Sequence, residues 1–258
     1  MLQYIAFVIY LIKVGNVPAG SKTHLIGYGK TVMNHERGCK KMSRALHITN
    51  YEDINSWETL MFLYNAALKE VGTKIDILNE EFQHIHRYNP IEHVKSRIKT
   101  PESIVKKLRK NGYDSNIENM VKYVNDIAGI RIICSFTSDI YRIADIIAKQ
   151  TDLKILSLKD YIKTPKESGY QSYHMIVTVP IFLSDGVVET KVEIQIRTIA
   201  KDLWASLEHK IYYKFEGNAP AYISSELQEC AKRASQLDRR MLSLNESIQK
   251  CSAGYEKD

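Results

Sequence analysis

An alternating hexapeptide, VEIQIR at residues 192–197, constrains the fold of this chain more than any other stretch. Its valine and isoleucines alternate with Glu193, Gln195 and Arg197. Successive side chains of a β-strand point to opposite faces, so the apolar residues are expected in a core and the polar ones on one shared surface. A merely solvated strand face gives the same pattern, so this segment alone does not indicate a functional site.

The residues that precede this strand favour a functional site. A flexible glycine is followed by Tyr170 and His174 and then by an apolar strand predicted at residues 175–179. An Asp-Gly pair after that strand predicts a hairpin turn back toward the strand that carries Glu193. The hairpin would bring an aromatic ring, an imidazole and a carboxylate onto neighbouring strands. We therefore interpret residues 169–197 as the centre of a site.

Length and composition indicate a globular protein with an anionic partner. The 258 residues allow one ordinary domain with extensions or two small domains, and 44% hydrophobic residues suffice for a sizeable core. A net charge of +6 fits nucleotides, nucleic acid or acidic lipid without choosing among them. The four cysteines have no metal-binding spacing, and Cys134 lies in an apolar strand. We therefore expect reduced thiols and a cytoplasmic location.

The N-terminal residues are expected to lie outside the folded domain. The apolar run that begins at Leu2 ends at Lys13, short of the roughly 20 residues that span a bilayer, so no stable membrane insertion is expected. A short membrane-surface anchor is the alternative. Residues 15–44 show no hydrophobic periodicity. The predicted organisation is a poorly structured extension at 1–41, a domain at 42–220 and an oligomerisation helix at 221–258.

Hydrophobic periodicity predicts interleaved helices and strands. Apolar residues recur every three or four positions from Ile54 to about Tyr88, which predicts a long helix or one broken at Gly72. Further helices are predicted at 101–110, 138–150, 199–215 and 223–249. Strands are predicted just after Asp126 and at 153–158, 175–179 and 192–197. The predicted fold class is α+β with layered α/β character, a mixed sheet flanked by helices, with helical N- and C-terminal extensions.

Acidic and basic residues in this pattern suggest phosphate chemistry. Asp126 precedes a buried strand and Glu193 lies within another, and carboxylates on neighbouring strands commonly hold Mg²⁺ against nucleotide phosphates. The densest basic stretch, residues 97–110, fits either a polyphosphate clamp or a solvated helix face. Phosphoryl transfer requires positioning, charge neutralisation and a base near the attacking hydroxyl. The residues alone do not name the substrates.

Five ordered motifs carry a resemblance to a known family. RIKTPES, DIAGIRI, KTPKESGYQSYH, VEIQIRT and WASLEH resemble the synthetase domain of the RelA/SpoT family. The chain is most similar to the stand-alone small alarmone synthetases of the RelQ type, over about residues 50–250. The resemblance implies a nucleotidyltransferase-like fold and a GTP pyrophosphokinase of the stringent response. Such an enzyme moves the β,γ-pyrophosphate of ATP to the ribose 3′-hydroxyl of GDP or GTP and releases AMP.

The resemblance also implies roles for the motif residues. The catalytic residues and Mg²⁺ ligands would be Asp126 and Glu193, with Glu193 as base toward the 3′-hydroxyl. The ATP-binding residues would be Arg97, Lys99, Ser103, Lys107 and Arg131, whose two arginines would sandwich the adenine. The residues that bind GDP or GTP would be Tyr170, which would stack on guanine, and Lys159, Lys166, His174, Gln195 and Glu208.

The chain also departs from the relatives it resembles. Lys159 stands where relatives often have arginine, which implies a less fork-like grip on phosphate. Residues 93–96 read HVKS, where relatives have a segment that helps form an allosteric pppGpp site, so that regulation is not expected. The sequence has no HD-type metal motif of the family's hydrolase domain, so we expect synthesis without hydrolysis.

Two other functions compete with this interpretation. A template-free nucleotidyltransferase on the same fold would need a close carboxylate pair, as in DxD, and no such pair accompanies the SGY loop. A basic oligomeric RNA-binding protein with secondary or lost synthetase activity is the second alternative, and single-stranded RNA is a candidate partner in either case. The near-heptad pattern of the last helix, together with the resemblance, predicts a homotetramer.

Overall fold

The computed structural model describes residues 57–214 and 220–255, so the predictions for residues 1–41 lie outside it. The helices are α1 (Trp57–His84), α2 (Pro101–Lys110), α3 (Ile117–Tyr123), α4 (Thr137–Ala148), α5 (Ile199–Lys214) and α6 (Ala221–Tyr255). The strands are β1 (Ile91–Ile98), β2 (Ala128–Cys134), β3 (Lys154–Asp160), β4 (Tyr173–Leu183) and β5 (Gly186–Thr198). Within these ranges, none of the helices combines the length and hydrophobicity that crossing a membrane requires.

The five strands form one mixed sheet in the order β1-β2-β5-β4-β3. β2 and β5 run parallel, and the other neighbouring strands are antiparallel. The predicted hairpin is confirmed, because β4 and β5 pair continuously from Tyr173 opposite Ile196 to Leu183 opposite Gly186. Helices α1 and α4 pack against the sheet. The arrangement confirms the predicted α+β class.

Strand β5 shows the predicted alternation. Val192, Ile194 and Ile196 are fully buried, whereas Glu193 and Gln195 are partly exposed on the other face. Burial of one such apolar side chain contributes roughly 1.5–3 kcal/mol. A slip of one residue would exchange the two faces of the strand, so the buried residues fix its register. The hydrophobic core therefore decides which sheet face carries the polar residues.

Helix α1 runs unbroken through Gly72, which confirms the long-helix alternative. A glycine inside a helix costs about 1 kcal/mol relative to alanine. Ala67, Val71 and Ile75 are buried on either side of it, and α1 packs on β1, β2, β4 and β5. The apolar area buried by this stripe outweighs the cost of one glycine.

Helix α2 has the bounds that the sequence predicts. The Thr100 side chain caps it by accepting a hydrogen bond from the Ser103 amide at 3.4 Å. Pro101 lies in the first turn, where a backbone N–H has no intrahelical partner. The missing N–H of proline therefore costs no hydrogen bond there. Ile104 and Leu108 are completely buried. This buried stripe leaves the face with Ser103 and Lys107 available to a site.

Strand β1 and helix α3 were not predicted. The apolar residues of β1 are Ile91, Val94 and Ile98, a spacing typical of a helix. A β-bulge between Ile91 and His93 shifts the register, and only Ile91 is buried in this edge strand. A bulge adds one residue to a strand and so interrupts its alternation. Helix α3 has only seven residues, too few for periodicity to be recognised.

Helix α6 divides into two halves with different surroundings. In the N-terminal half, Leu227 and Ala231 are buried against Trp204 of α5. In the C-terminal half, a heptad-spaced stripe is about half exposed: Leu237, Met241, Leu244 and Ile248. The predicted seam therefore packs partly on its own chain, and only its C-terminal half is available to a partner.

Candidate active site

A cavity of about 920 Å³ opens on the polar face of the sheet. It is lined by every residue to which the resemblance assigns a role, namely Arg97, Lys99, Ser103, Lys107, Asp126, Arg131, Lys159, Lys166, Tyr170, His174, Glu193, Gln195 and Glu208. Tyr161 and Arg197, which had no assigned role, also line it. The fold thus gathers side chains from five strands, two helices and three connecting segments around one space.

Strand register arranges the floor of this cavity in two rows. One row crosses four strands through Lys159, His174, Gln195 and Arg131. The other row crosses three strands through Arg97, Gly129 and Glu193. Directly opposed residues of antiparallel neighbours have Cβ atoms roughly 4.5–5.5 Å apart. The strand register therefore places basic, acidic and imidazole side chains close enough together for one bound nucleotide to contact them.

Gly129 leaves space that Arg97 occupies. A Cβ atom at Gly129 would lie 3.8 Å from Arg97 Cγ and 3.9 Å from its Nε. Arg131 stands two residues further along β2, and burial, together with the charge of Arg197, lowers the pKa of its guanidinium. Both arginines border a side cleft of about 190 Å³ that also reaches Glu193. Two guanidinium planes beside a residue without a side chain can receive a flat ring.

Asp126 lies in the turn before β2 and is held by two lysines. Lys99 Nζ donates to Oδ2 at 2.9 Å, and Lys107 Nζ donates to Oδ1 at 2.8 Å. Burial alone would raise the pKa of Asp126, but the two lysines lower it below its ordinary value. Lys191 Nζ donates to Asn125 Oδ1 at 2.8 Å and so fixes the same turn. The turn thus presents an ionised carboxylate to the cavity.

Glu193 lies at the end of a hydrogen-bonded chain. His174 Nδ1 is 3.2 Å from Glu193 Oε1, and Gln195 Nε2 donates to Oε2 at 2.8 Å. Burial would raise the pKa of Glu193, but the hydrogen bond and charge of His174, with the Gln195 amide, lower it below its usual value. A carboxylate only accepts, so Nδ1 donates to it, and the other ring nitrogen, Nε2, lies 2.8 Å from the Tyr170 hydroxyl. The carboxylate is therefore ionised and fixed in orientation.

Arg197 of β5 is almost completely buried and connects Tyr170 to the sheet by a hydrogen bond. Its guanidinium donates to the Tyr170 hydroxyl at 2.5 Å and to Gln195 Oε1 at 2.9 Å. Asp202 accepts from Arg197 at 3.2 Å and from Arg131 at 3.0 Å. One carboxylate of α5 thereby balances two guanidinium groups under the cavity.

The far end of the cavity combines lysines with aromatic rings. Lys166 Nζ lies 4.6 Å from the ring centroid of Tyr161 and 4.9 Å from that of Tyr170. Lys159 lines the cavity from β3, and Glu208 lines it from α5. Burial raises the pKa of Glu208. Cations beside aromatic rings suit a ligand that has both a base and phosphates.

Arg197, Asp202 and Tyr161 were missed as site residues, and the signals for them differ. Arg197 shares the alternating face with Glu193 and Gln195, so the strand pattern already pointed to it. Tyr161 precedes the SGY segment, and only the fold shows that its ring meets His174 edge-on at 5.3 Å. Asp202 is one of many acidic residues on helices, and no local pattern separates it from a solvated one.

The carboxylates of this cavity fit a magnesium ion. Mg²⁺ is usually held by one or two carboxylates together with substrate phosphates. Asp126 and Glu193 both line the cavity, and the charge of Asp126 acts to raise the pKa of Glu193. In residues 57–214 and 220–255 no cluster of three or more His, Cys, Asp or Glu side chains occurs. A site that is completed by substrate phosphates agrees with this donor set.

Comparison with known proteins gives the family of the chain. The family described as "Region found in RelA / SpoT proteins" matches residues 96–218. GTP pyrophosphokinase YwaC of Bacillus subtilis (strain 168) is 45% identical over 207 residues, which are 79% of this chain and 99% of YwaC. GTP pyrophosphokinase YjbM of the same strain is 34% identical over 206 residues, 80% of this chain and 96% of YjbM.

Solved structures agree with the sequence comparison. Small alarmone synthetase 2 from Bacillus subtilis is similar with a TM-score of 0.68 and 46% identity, over 74% of this chain and 98% of that structure. Small alarmone synthetase 1 from the same organism, bound to its product pppGpp, has a TM-score of 0.71 and 34% identity, over 75% and 98% of the two chains. This chain therefore belongs to the RelA/SpoT family, in its group of small alarmone synthetases.

Proposed function

We propose that this chain transfers the β,γ-pyrophosphate of ATP to the ribose 3′-hydroxyl of GDP or GTP and releases AMP. The observation that carries the proposal is one cavity that Asp126 and Glu193 line together with two groups of basic side chains. The ATP end has Arg97 and Arg131 beside the side cleft, with Lys99 and Lys107 at Asp126. The acceptor end has the lysine and tyrosine cluster around Tyr170. The relatives YwaC and YjbM are GTP pyrophosphokinases.

The ATP end suits a triphosphate. The cavity is lined by Thr100, just before the first turn of α2, and by Ser103 within that turn. Lys107 lines it one turn further along the helix. The N-terminus of a helix presents free amide groups and a partial positive charge, which favour phosphate oxygens. We assign Ser103, Lys99 and Lys107 to the ATP phosphates and the two arginines to the adenine ring.

Glu193 is the proposed base for the 3′-hydroxyl. Its carboxylate is ionised and is oriented by His174 and Gln195, so it can accept the hydroxyl proton as the oxygen attacks the β-phosphorus of ATP. Asp126 and Glu193 would hold Mg²⁺, which would neutralise charge on the transferred phosphates. Lys159, Lys166 and His174 would face the phosphates of the acceptor, with Glu208 as a supporting polar group.

Product analysis tests the proposed reaction directly. The purified chain, incubated with ATP labelled on its γ-phosphate and with GDP or GTP, should give ppGpp or pppGpp on thin-layer chromatography. Label that stays in ATP would overturn the proposal, and label released as free pyrophosphate, while AMP is added to a polynucleotide, would indicate a template-free nucleotidyltransferase. Within β2 and the turn before it, Asp126 is the only carboxylate, so the chain lacks a DxD pair there. The comparisons do not support an RNA-binding protein with lost activity.

We place the enzyme in the cytoplasm. Cys134 is a buried free thiol whose pKa is raised by burial, and Cys230 and Cys251 are free as well. Disulfides are rare in the reducing cytoplasm, so reduced cysteines agree with that compartment. ATP and GTP are cytoplasmic substrates, and the proposed reaction requires both.

Replacing Tyr170 by Ala should weaken binding of the guanine nucleotide and leave the KM for ATP nearly unchanged. Stacking of an aromatic ring on a base contributes roughly 1–3 kcal/mol, which corresponds to an increase of about 5- to 150-fold in the acceptor KM. The measurement is steady-state kinetics with each nucleotide varied in turn. Tyr170→Phe is the matched control, because it keeps the ring and loses only the hydroxyl bonded to Arg197 and His174. Equal increases in both KM values would show that the ring is structural.

We also propose a homotetramer in which the exposed stripe of α6 pairs between subunits. Replacing Leu237 and Leu244 together by Asp should split the assembly, because two carboxylates buried in an apolar seam cost several kcal/mol, roughly 2 or more each. Light scattering after size exclusion measures the mass. Gln236→Asp with Ser243→Asp is the matched control, since it adds the same charges at the same spacing on exposed positions of the same helix. A monomeric wild-type chain would contradict the assembly.

A further inference from the structure

The segment that carries Tyr170 packs on helix α6. We call residues 161–172, between β3 and β4, the acceptor loop, since it contains Lys166 and Tyr170. Gln228 Nε2 donates to the carbonyl oxygen of Glu167 at 2.8 Å. Gln171 Nε2 donates to Ser235 Oγ at 2.6 Å. The two hydrogen bonds connect the loop, on both sides of Tyr170, to residues of one helix face.

Between these two hydrogen bonds the loop backbone touches the helix. Gly169 has a φ of +91°, and a Cβ atom there would lie 2.7 Å from Ala231 Cβ and 3.5 Å from Gln228 Cα. A Cβ–Cβ distance of that length is sterically forbidden, and a positive φ also favours glycine. The close approach therefore depends on small residues on both sides, Gly169 in the loop and Ala231 in the helix.

The same part of α6 is fixed to the protein at two points. Near its N-terminal end, Trp204 Nε1 of α5 donates to the carbonyl oxygen of Leu227 at 2.8 Å. Two turns beyond Ala231, the buried Asp238 carboxylate accepts from Thr198 Oγ1 at 2.7 Å and from the buried Lys201 ammonium. Removing one partner of a buried ion pair is strongly destabilising, so this anchor holds the helix firmly. Thr198, which donates to Asp238, is the last residue of β5 and directly follows Arg197.

From this geometry we infer that Ala231 and Ser235 of α6 are positioning residues for the guanine-nucleotide acceptor. They hold the acceptor loop in the position from which the Tyr170 hydroxyl reaches its hydrogen-bond partners on the sheet. Among the described residues of α6, none lines the cavity, so the effect acts through the loop. The ATP end is built instead from β1, α2 and β2. The inference rests on the proposed function, because it assigns Tyr170 to the acceptor.

Two substitutions test this inference through the KM values of the two substrates. Ser235→Ala removes the acceptor of the Gln171 hydrogen bond, and alanine is a better helix former than serine, so the helix itself should persist. We expect the KM for GDP or GTP to rise about 2- to 10-fold, as for the loss of one hydrogen bond, with the KM for ATP unchanged. Ala231→Val places two methyl groups against Gly169 and should raise the acceptor KM at least about fivefold.

Lys232→Val is the matched control for Ala231→Val. It introduces the same β-branched side chain, with a similar effect on helix propensity, at the neighbouring exposed position. Its KM values should equal those of the wild type. Unchanged KM values in both test variants, equal increases for ATP and acceptor, or an equal effect of the control would each overturn the inference. If Ala231→Val fails to fold, Ser235→Ala decides the question alone. Product formation by the wild-type chain tests the proposed function separately, so failure of one is distinguishable from failure of the other.

Discussion

Replacing Glu193 by Gln is expected to lower kcat for alarmone synthesis by about 10²-fold or more, because a general base typically contributes roughly 10²- to 10⁴-fold. Glutamine has the same shape but is neutral and cannot accept the hydroxyl proton. Glu193 is on the polar face of β5, and its strand is held by the buried Val192 and Ile194 on either side. The fold should therefore survive the substitution.

The measurement is kcat and both KM values, together with the melting temperature. The introduced glutamine can still accept from His174 through its amide oxygen, so we expect the melting temperature to stay within a few degrees of the wild type. Glu189→Gln is the matched control, because Glu189 is exposed on the same face of the same strand and does not line the cavity. Activity of Glu193→Gln within a few-fold of wild type would contradict its role as base.

The sequence predicted best those elements whose pattern comes from burial on one side. Strand β5 alternates because one face enters the core and the other faces the cavity, and α2 begins at a proline after a capping threonine. Both signals are local, so they can be recognised without the rest of the fold. The motif resemblance then placed the site residues on these elements, and all of them line one cavity.

Features that depend on tertiary contacts were not predictable in this way. The bulge in β1 conceals its alternation, and the partners of this edge strand lie about thirty or more positions away in the sequence, at residues 128–134. Asp202 becomes a site residue only because two arginines from different strands converge on it. These relationships arise from sheet register, which no single segment encodes.

The two halves of α6 illustrate the same limit. Its apolar seam is continuous from Ile223 to Ile248, so periodicity gives it one role. In the structure the two parts of the seam have different roles. Leu227 and Ala231 are buried against their own chain, whereas Leu244 is about half exposed. The first role depends on a small residue against a glycine, here Ala231 and Gly169, and the sequence does not show that the two meet.

Replacing Asp126 by Asn should also reduce synthesis by about 10²-fold or more, because a metal ligand that neutralises phosphate charge contributes several kcal/mol to the transition state. The Asp126 carboxylate is largely buried and accepts from Lys99 and Lys107. Asparagine keeps the shape of the side chain but leaves both ammonium groups without their anion. Kinetics over a range of Mg²⁺ concentrations are the measurement.

The dependence on Mg²⁺ separates two explanations of that loss. If Asp126 is a ligand, the Mg²⁺ concentration that gives half-maximal activity should rise in Asp126→Asn, and the residual rate should increase with added metal. If Asp126 only orients Lys99 and Lys107, the rate should fall with no change in Mg²⁺ dependence. Asp152→Asn is the matched control, since Asp152 also pairs with a lysine, Lys74, but lies outside the cavity. Asp126→Asn with activity within a few-fold of wild type would exclude both roles, and Glu193 would then be the sole catalytic carboxylate of the pair.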